Sequence, residues 1–257
     1  MSHLLFGVPL WNYPFLFLAA LFAGTVDTMA GGGGLITVPI LMSLGWSPQD
    51  ALGTNKFQAS FGSGSATFHF ARAGALSLRE LGWGVLFTAI GAASGAWAVG
   101  QISPAFLGRL IPLLLIALAA YFALTPRLGL EEGRARMGAF AFHLVFGLGL
   151  GAYDGFFGPG VGSFWVMAYI LLLGYDLKRG TAATKLMNFT SNFLSLAVFL
   201  LMGNVHFAPG LAMACGQFLG GRLGAKLVMT RGAKLVRPVF IAVVLAIAAK
   251  LLLGNLR

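Results

Sequence analysis

The sequence predicts an all-α membrane protein, a polytopic helical bundle of two inverted repeats, each with a broken or re-entrant segment plus three helices. Three observations carry this expectation. The 257-residue chain is 58% AVILMFWYC and only 9% Asp, Glu, Lys and Arg; a soluble domain carries roughly a quarter charged residues, so this chain cannot clothe a water-facing surface. Residues 57–71, 81–108, 186–221 and 238–249 contain no charge, and a spanning helix needs about 20 mostly apolar residues. Finally, one ordered pattern of Gly, Asp and Lys recurs half a chain apart.

Other classes fall away on composition. The alternation at about ten-residue spacing that marks an outer-membrane barrel is absent. The single Cys215 has no disulfide partner, and its apolar neighbours predict a small buried residue. The excess of 17 basic over 7 acidic residues fits cytoplasmic loops rich in Lys and Arg. Nucleic acid is not an expected partner, because no basic aromatic motif accompanies the charge. No Lys or Arg precedes Lys56, so a cleavable signal peptide lacks its basic n-region, and the N-terminus is expected to stay as the first membrane segment.

The first element is an interrupted apolar segment, 14–43, broken at Gly31, Gly32, Gly33 and Gly34; the second half opens with 137–173, broken at Gly158, Pro159 and Gly160. At about 1.5 Å per residue, thirty residues make about 45 Å of helix, too long for one span and too short for two. Two half-helices meeting inside the membrane are expected in each. Helices follow at 50–72, 80–101 and 104–124, then at 178–202, 206–226 and 233–254. Gly24, Asp27, Gly31 and Gly33 recur 127 residues later as Gly151, Asp154, Gly158 and Gly160, and Gly45 and Lys56 recur 129 later as Gly174 and Lys185. Residues 1–126 thus form a first membrane repeat, 127–136 a cytoplasmic linker and 137–257 a second repeat.

The loops carry the orientation signal. Basic residues gather at Arg72 and Arg79, at Arg127, Arg134 and Arg136, at Lys178 and Arg179, and at Arg222, Lys226, Arg231 and Lys234, while connections 43–49, 100–104 and 203–209 have none. Placing all four basic loops in the cytoplasm requires the second broken segment to be re-entrant or to cross twice, and inverts one half relative to the other. In many secondary transporters such inverted repeats hold the substrate where their broken helices meet.

Residues at the breaks supply candidate chemistry. Helix N-termini near Gly31, Gly32, Gly33 and Gly34 and near Gly158, Gly160 and Gly162 would bind an anion through backbone N–H groups; the alternative is tight turning and close helix packing. A nucleotide-binding glycine fingerprint needs a preceding strand and is excluded. Thr181, Lys185, Asn188, Asn192 and Ser195 form a polar stripe on one helix face, with a weaker counterpart in Lys56, Ser60, Ser63 and Thr67, preceded by Thr54 and Asn55. Such groups facing lipid cost kcal/mol each, so both stripes should face the other repeat or a wet cavity. Lys56 and Lys185 either flank an anion or snorkel to the interface. Asp27 and Asp154 pair with a lysine, cap a half-helix or carry a coupling proton. His69 and His143 read as packing histidines. No cluster has metal-site spacing, and no nucleophile is accompanied by a base, so the chain reads as a non-enzyme with no catalytic residue, metal or cofactor assigned.

The stretches AGGGGLITVPILMSLGWSPQDALGTNKFQA (30–59), GAYDGFFGPGVGSF (151–164) and TKLMNFTSN (184–192) resemble the TauE/SafE family of membrane permeases, also called the sulfite exporter or sulfonate permease family. With the hydropathy pattern, the resemblance covers essentially the whole chain. It implies a multi-pass permease of the bacterial cytoplasmic (inner) membrane for small anions, among them sulfite, sulfoacetate and related organosulfur compounds. The combined expectation is a secondary transporter, an exporter, whose partners are the lipid bilayer, a small anion and, if coupled, protons. Its expected substrate-binding residues are the seven break glycines together with Thr54, Asn55, Lys56, Thr184, Lys185, Asn188 and Asn192, with Asp27 and Asp154 as coupling candidates. An anion channel, a carboxylate transporter, uncoupled export and a homo-oligomer remain open.

Overall fold

The computed structural model describes residues 4–5, 8–124 and 134–231. After a two-residue antiparallel ladder of β1 (Leu4–Leu5) and β2 (Val8–Pro9), it is helical: α1 (Asn12–Ala30), α2 (Gly33–Met42), α3 (Pro48–Arg72), α4 (Leu78–Gly100), α5 (Pro104–Leu124), α6 (Ala139–Phe156), α7 (Val161–Leu173), α8 (Leu177–Leu201) and α9 (Phe207–Arg231). The helix expected at 233–254 and linker residues 127–133 lie outside the described residues. Helix α9 runs further than expected, so Arg222 and Lys226 sit on the helix rather than in a loop, and Lys178 and Arg179 belong to the first turn of α8.

Equivalent positions in the two halves build equivalent local structure. Helices α3 and α8 are both 25 residues long. Each starts at a side-chain cap that satisfies an orphan backbone donor: the Asp50 N–H donates to Ser47 Oγ (3.1 Å) and the Arg179 N–H to Asp176 Oδ1 (2.7 Å). Helix α1 packs along α9 and α4 along α6, while α3 and α8 pack on each other in the middle. Close approach uses small residues, the common device between membrane helices: Gly220 and Gly224 of α9 lie on the α1 backbone at Leu21 and Thr25, and Gly91 and Gly95 of α4 lie on the α6 backbone near Ala152.

The connections separate into two ends. At one, the Gln49 amide donates to Ile102 O (3.1 Å), the Asn204 amide to Asp50 Oδ1 (2.8 Å), and Trp46 stacks on His206; these belong to the connections without Lys or Arg. At the other, Arg179 pairs with Glu80 (2.7 Å) and the Arg136 N–H donates to Leu172 O (2.8 Å). Helix α4, 23 residues and so about 34 Å long, runs from the basic end to the other.

Both broken segments return to the end from which they enter. Arg136 and Met137, just before α6, bond to Leu172 in the last turn of α7. Likewise Leu16 and Ala20 of α1 pack with Leu41 of α2 and Ala51 of α3. The α1–α2 hairpin therefore enters from the non-basic end and the α6–α7 hairpin from the basic end. The expectation of two half-helices is corrected: α1 and α6 are 19 and 18 residues, each long and apolar enough to cross a membrane, as α4 also is. The break falls at the far end of the first helix, and α2 and α7, with 10 and 13 residues, are the short return arms.

Polar and apolar surfaces are distributed as a bilayer requires. Trp11, Phe15, Trp83, Trp97, Phe140 and Leu201 point outward, while Thr54, Asn55, Lys56, Thr184, Lys185, Asn188 and Asn192 are buried. Cys215 corrects its expectation, being exposed on α9. Its neighbour Gly216 takes the contact with α1, and apolar neighbours on a membrane helix do not distinguish a core face from a lipid face. His143 is a packing histidine, buried with Nε2 3.5 Å from the Tyr169 hydroxyl; His69 is half-buried in the last turn of α3.

Candidate functional site

The site begins where the two hairpin tips touch. Gly31 closes α1 with φ 75°, and its N–H donates to Asp27 O (2.7 Å). Only glycine reaches this geometry here: a Cβ on Gly31 would lie 2.3 Å from the Ser163 nitrogen of α7, and one on Gly162 would lie 2.6 Å from Gly31 Cα. Ser163 Oγ donates across the tips to Ala30 O, and Gly34 abuts Pro159. Within the second tip, the Tyr153 hydroxyl donates to Pro159 O (2.9 Å).

Two ion pairs cross between the halves around this contact. Lys56 of α3 pairs with Asp154 of α6 at 2.5 Å, and Lys185 of α8 pairs with Asp27 of α1 at 2.8 Å. Each ammonium also donates to the backbone carbonyl of its aspartate, so each lysine lies at the C-terminal turn of the opposite half's first helix, where a cation is favoured. The carboxylates have second partners: Asp27 Oδ1 accepts from the Gly33 N–H at the start of α2 (3.0 Å), and Asp154 Oδ2 accepts from Ser191 Oγ. The pairs differ in access, because the Asp154 side chain is 3% exposed and that of Asp27 25%.

Both lysine side chains are 1% exposed, which overturns snorkelling as an account of them. Their burial also alters the expected electrostatics. Two ammonium groups face two carboxylates, so the four charges balance, and the remaining donors are helix N-termini and neutral side chains.

Those donors surround a narrow cavity of about 30 Å3, room for about two water-sized groups. Of the expected residues, Asp27, Gly33, Gly34, Asn55, Lys56, Asp154, Gly158, Asn188 and Asn192 line it. Gly31, Gly32, Gly160 and Gly162 shape the tips: Gly32 and Gly160 precede the first residues of α2 and α7. Lys185 stands behind Asp27. Thr54 is diverted, its Oγ1 accepting the His206 N–H (3.0 Å) before α9. Thr184 is fully buried, and its Oγ1 has no hydrogen-bond partner among the described residues. Asn55 Oδ1 accepts from Thr37 Oγ1 (2.6 Å) and Gln58 Nε2 (2.9 Å), and Asn192 Oδ1 from Lys56 (3.3 Å).

Sequence reasoning missed Gln217, which lines the cavity from α9 between Gly24 and Gly62. The available signal was its being the only amide side chain of α9. It also missed Ser191, which lies on the edge of the α8 stripe rather than along it. No group of three or more metal-binding side chains exists among the described residues.

Two hairpins thus meet tip to tip around a polar cavity, inside a bundle with helices long and apolar enough to span a membrane. Residues 16–251 match the family described as Sulfite exporter TauE/SafE, and the chain belongs to that family. It is 44% identical over 252 residues to the probable membrane transporter protein YfcA of Escherichia coli (strain K12), covering 98% of this chain and 91% of that one. It is 43% identical over 238 residues to the probable membrane transporter protein ORF9 of Sinorhizobium sp, covering 93% and 91%. It is 26% identical over 243 residues to the probable membrane transporter protein YunE of Bacillus subtilis (strain 168), covering 83% and 88%. No solved structure matches the chain. The protein is thus a multi-pass bacterial inner-membrane transporter that meets a lipid bilayer and a small substrate.

Proposed function

We propose that the protein is a secondary transporter that exports small anions, sulfite or organosulfonates, between two inverted repeats. The observation that carries this reading is the pair of hairpin tips meeting at a cavity flanked by the crossed pairs Lys56–Asp154 and Lys185–Asp27. The hairpins enter from opposite ends, and basic residues collect at one end, which the positive-inside rule assigns to the cytoplasm. The anion takes its hydrogen bonds from the N-terminus of α2 at Gly34 and from the amides of Asn188, Asn192 and Gln217, with Lys56 and Lys185 supplying charge only as their ion pairs open. The family description supports sulfite as the first substrate to test. A pair broken by an incoming anion frees a carboxylate, and Asp27, the more exposed of the two, is the candidate for a coupling proton.

Labelled-sulfite counterflow in proteoliposomes, with sulfonates and carboxylates as competitors, tests the reading. Saturable exchange is expected; conductance rising steadily with voltage and concentration would instead make the protein a channel. Lys185→Ala is expected to weaken sulfite competition about ten-fold or more, the cost of one charged hydrogen bond, while Lys178→Ala, exposed in the first turn of α8, leaves it unchanged. Equal small effects would remove Lys185 from the site. For topology, cysteines placed at Arg134 and Lys178 are expected to label from one face and a cysteine at Ser43 from the other. Labelling of all three from one face would eliminate the inverted arrangement.

A further inference from the structure

Helix α8 carries three orphaned polar atoms on one face. Thr181 Oγ1, Thr184 Oγ1 and Asn188 Oδ1 have no hydrogen-bond partner among the described residues, and their residues are 1%, 0% and 3% exposed. A buried polar group without a partner is expensive, and each instance in a native fold calls for an explanation. Here the three fall at i, i+3 and i+7, one helical face extending about 10 Å. Asn188 lines the central cavity, and Thr181 lies one turn inside the basic end of α8. Thr67 of α3, one turn beyond the Ser63–Asn192 contact in the same direction, is a fourth orphaned hydroxyl.

The file is flanked by apolar residues: Ala182 packs with Phe70 and Val228, and Ala183 and Met187 with Phe142 and Trp165. Toward the non-basic end α3 also carries orphaned oxygens, Gln49 Oε1 and Gln58 Oε1, but the Nε2 of each amide already donates, to Ile102 O and to Asn55 Oδ1. The positions on α3 equivalent to Thr181 and Asn188 are Leu52 and Ala59, and Leu52 lies in an apolar cluster with Val26, Leu35 and Phe199. Asn55, equivalent to Thr184, is already engaged by Thr37 and Gln58.

We propose that Thr181, Thr184 and Asn188 form a hydrated track along which a small oxyanion passes between the cavity and the basic end of the bundle. The inference rests on the transporter reading above. The threonine hydroxyls donate to the oxyanion as it passes, and Asn188 Oδ1, an acceptor, holds a water at the junction with the cavity. The track is uncharged, so it carries an oxyanion without trapping it.

Two measurements test this. In a Cys215→Ala background, Thr181→Cys, Thr184→Cys and Ala183→Cys are exposed to a small membrane-impermeant thiosulfonate in inverted membrane vesicles, which present the cytoplasmic face. Positions 181 and 184 are expected to react at least about ten-fold faster than position 183. In proteoliposomes, Thr184→Val is expected to slow labelled-sulfite counterflow about ten-fold, the loss of one hydrogen bond to a charged ligand, with Thr184→Ser near wild type. Modification at 181 and 184 as slow as at 183, in protein that still performs counterflow, would overturn the track, as would a wild-type rate for Thr184→Val. Absence of wild-type counterflow would count against the transporter reading instead, because the labelling pattern reports the track independently of transport.

Discussion

Lys56→Ala is expected to destabilise the protein by about 3–5 kcal/mol, the typical cost of removing one partner from a buried pair, and to abolish transport. The Lys56 and Asp154 side chains are 1% and 3% exposed, and the ammonium is 2.5 Å from the carboxylate. Removing it leaves a buried carboxylate, together with Asp154 O and Asn192 Oδ1, without their donor. The double variant Lys56→Ala/Asp154→Ala should cost less than the sum of the singles, since it removes the uncompensated charge along with the pair. Lys185→Ala should cost less, about 1–3 kcal/mol, because water reaches Asp27 and screens the carboxylate left behind. Unfolding in detergent measures all four. Equal losses at Lys56 and Lys185 would contradict the difference in access between the pairs.

The second large effect is at the tips. Gly31→Ala places a Cβ 2.3 Å from the Ser163 nitrogen, against backbone that cannot swing aside, and forces alanine to a φ of 75°. Strain and overpacking together are expected to cost roughly 3 kcal/mol or more, separating the tips and stopping transport. Gly45→Ala is the matched control, with a φ of 83° but nothing within 4 Å of its added Cβ. It should cost only about 1 kcal/mol, the left-handed backbone penalty alone, and leave counterflow intact. Similar losses for the two variants would show that the tip contact contributes little.

Much of this site was legible in the sequence, because a charge or a glycine cluster inside an apolar run is costly in a membrane and so marks its own importance. The recurrence of Asp27 and Lys56 as Asp154 and Lys185 singled out the four charges, Asn188 and Asn192 followed from helical spacing, and Asn55 from standing next to Lys56. The crossing of the pairs was not legible, since spacing along one chain does not report which half's lysine reaches which half's aspartate. Thr54 illustrates the converse: it was expected to bind substrate just ahead of the polar stripe, but a backbone N–H from the connection before α9 takes its oxygen. Gln217 escaped because a lone amide has no periodic partner. Cys215 escaped because lipid and protein core are equally apolar. The return of the second hairpin to its starting side followed from the basic loops, but the return of the first required the contact between Leu16 and Leu41, a pairing that hydropathy alone does not encode.

On the proposed reading, the meeting tips and crossed ion pairs bind an anion. Calorimetric titration of sulfite, with sulfonates and carboxylates as competitors, into purified wild-type protein and the Lys185→Ala variant tests it most directly. Saturable binding of one of these anions to the wild type, weakened about ten-fold or more in the variant, is the result this structure predicts. Binding that is unchanged by the loss of Lys185, or folded wild-type protein that binds none of these anions, would contradict it.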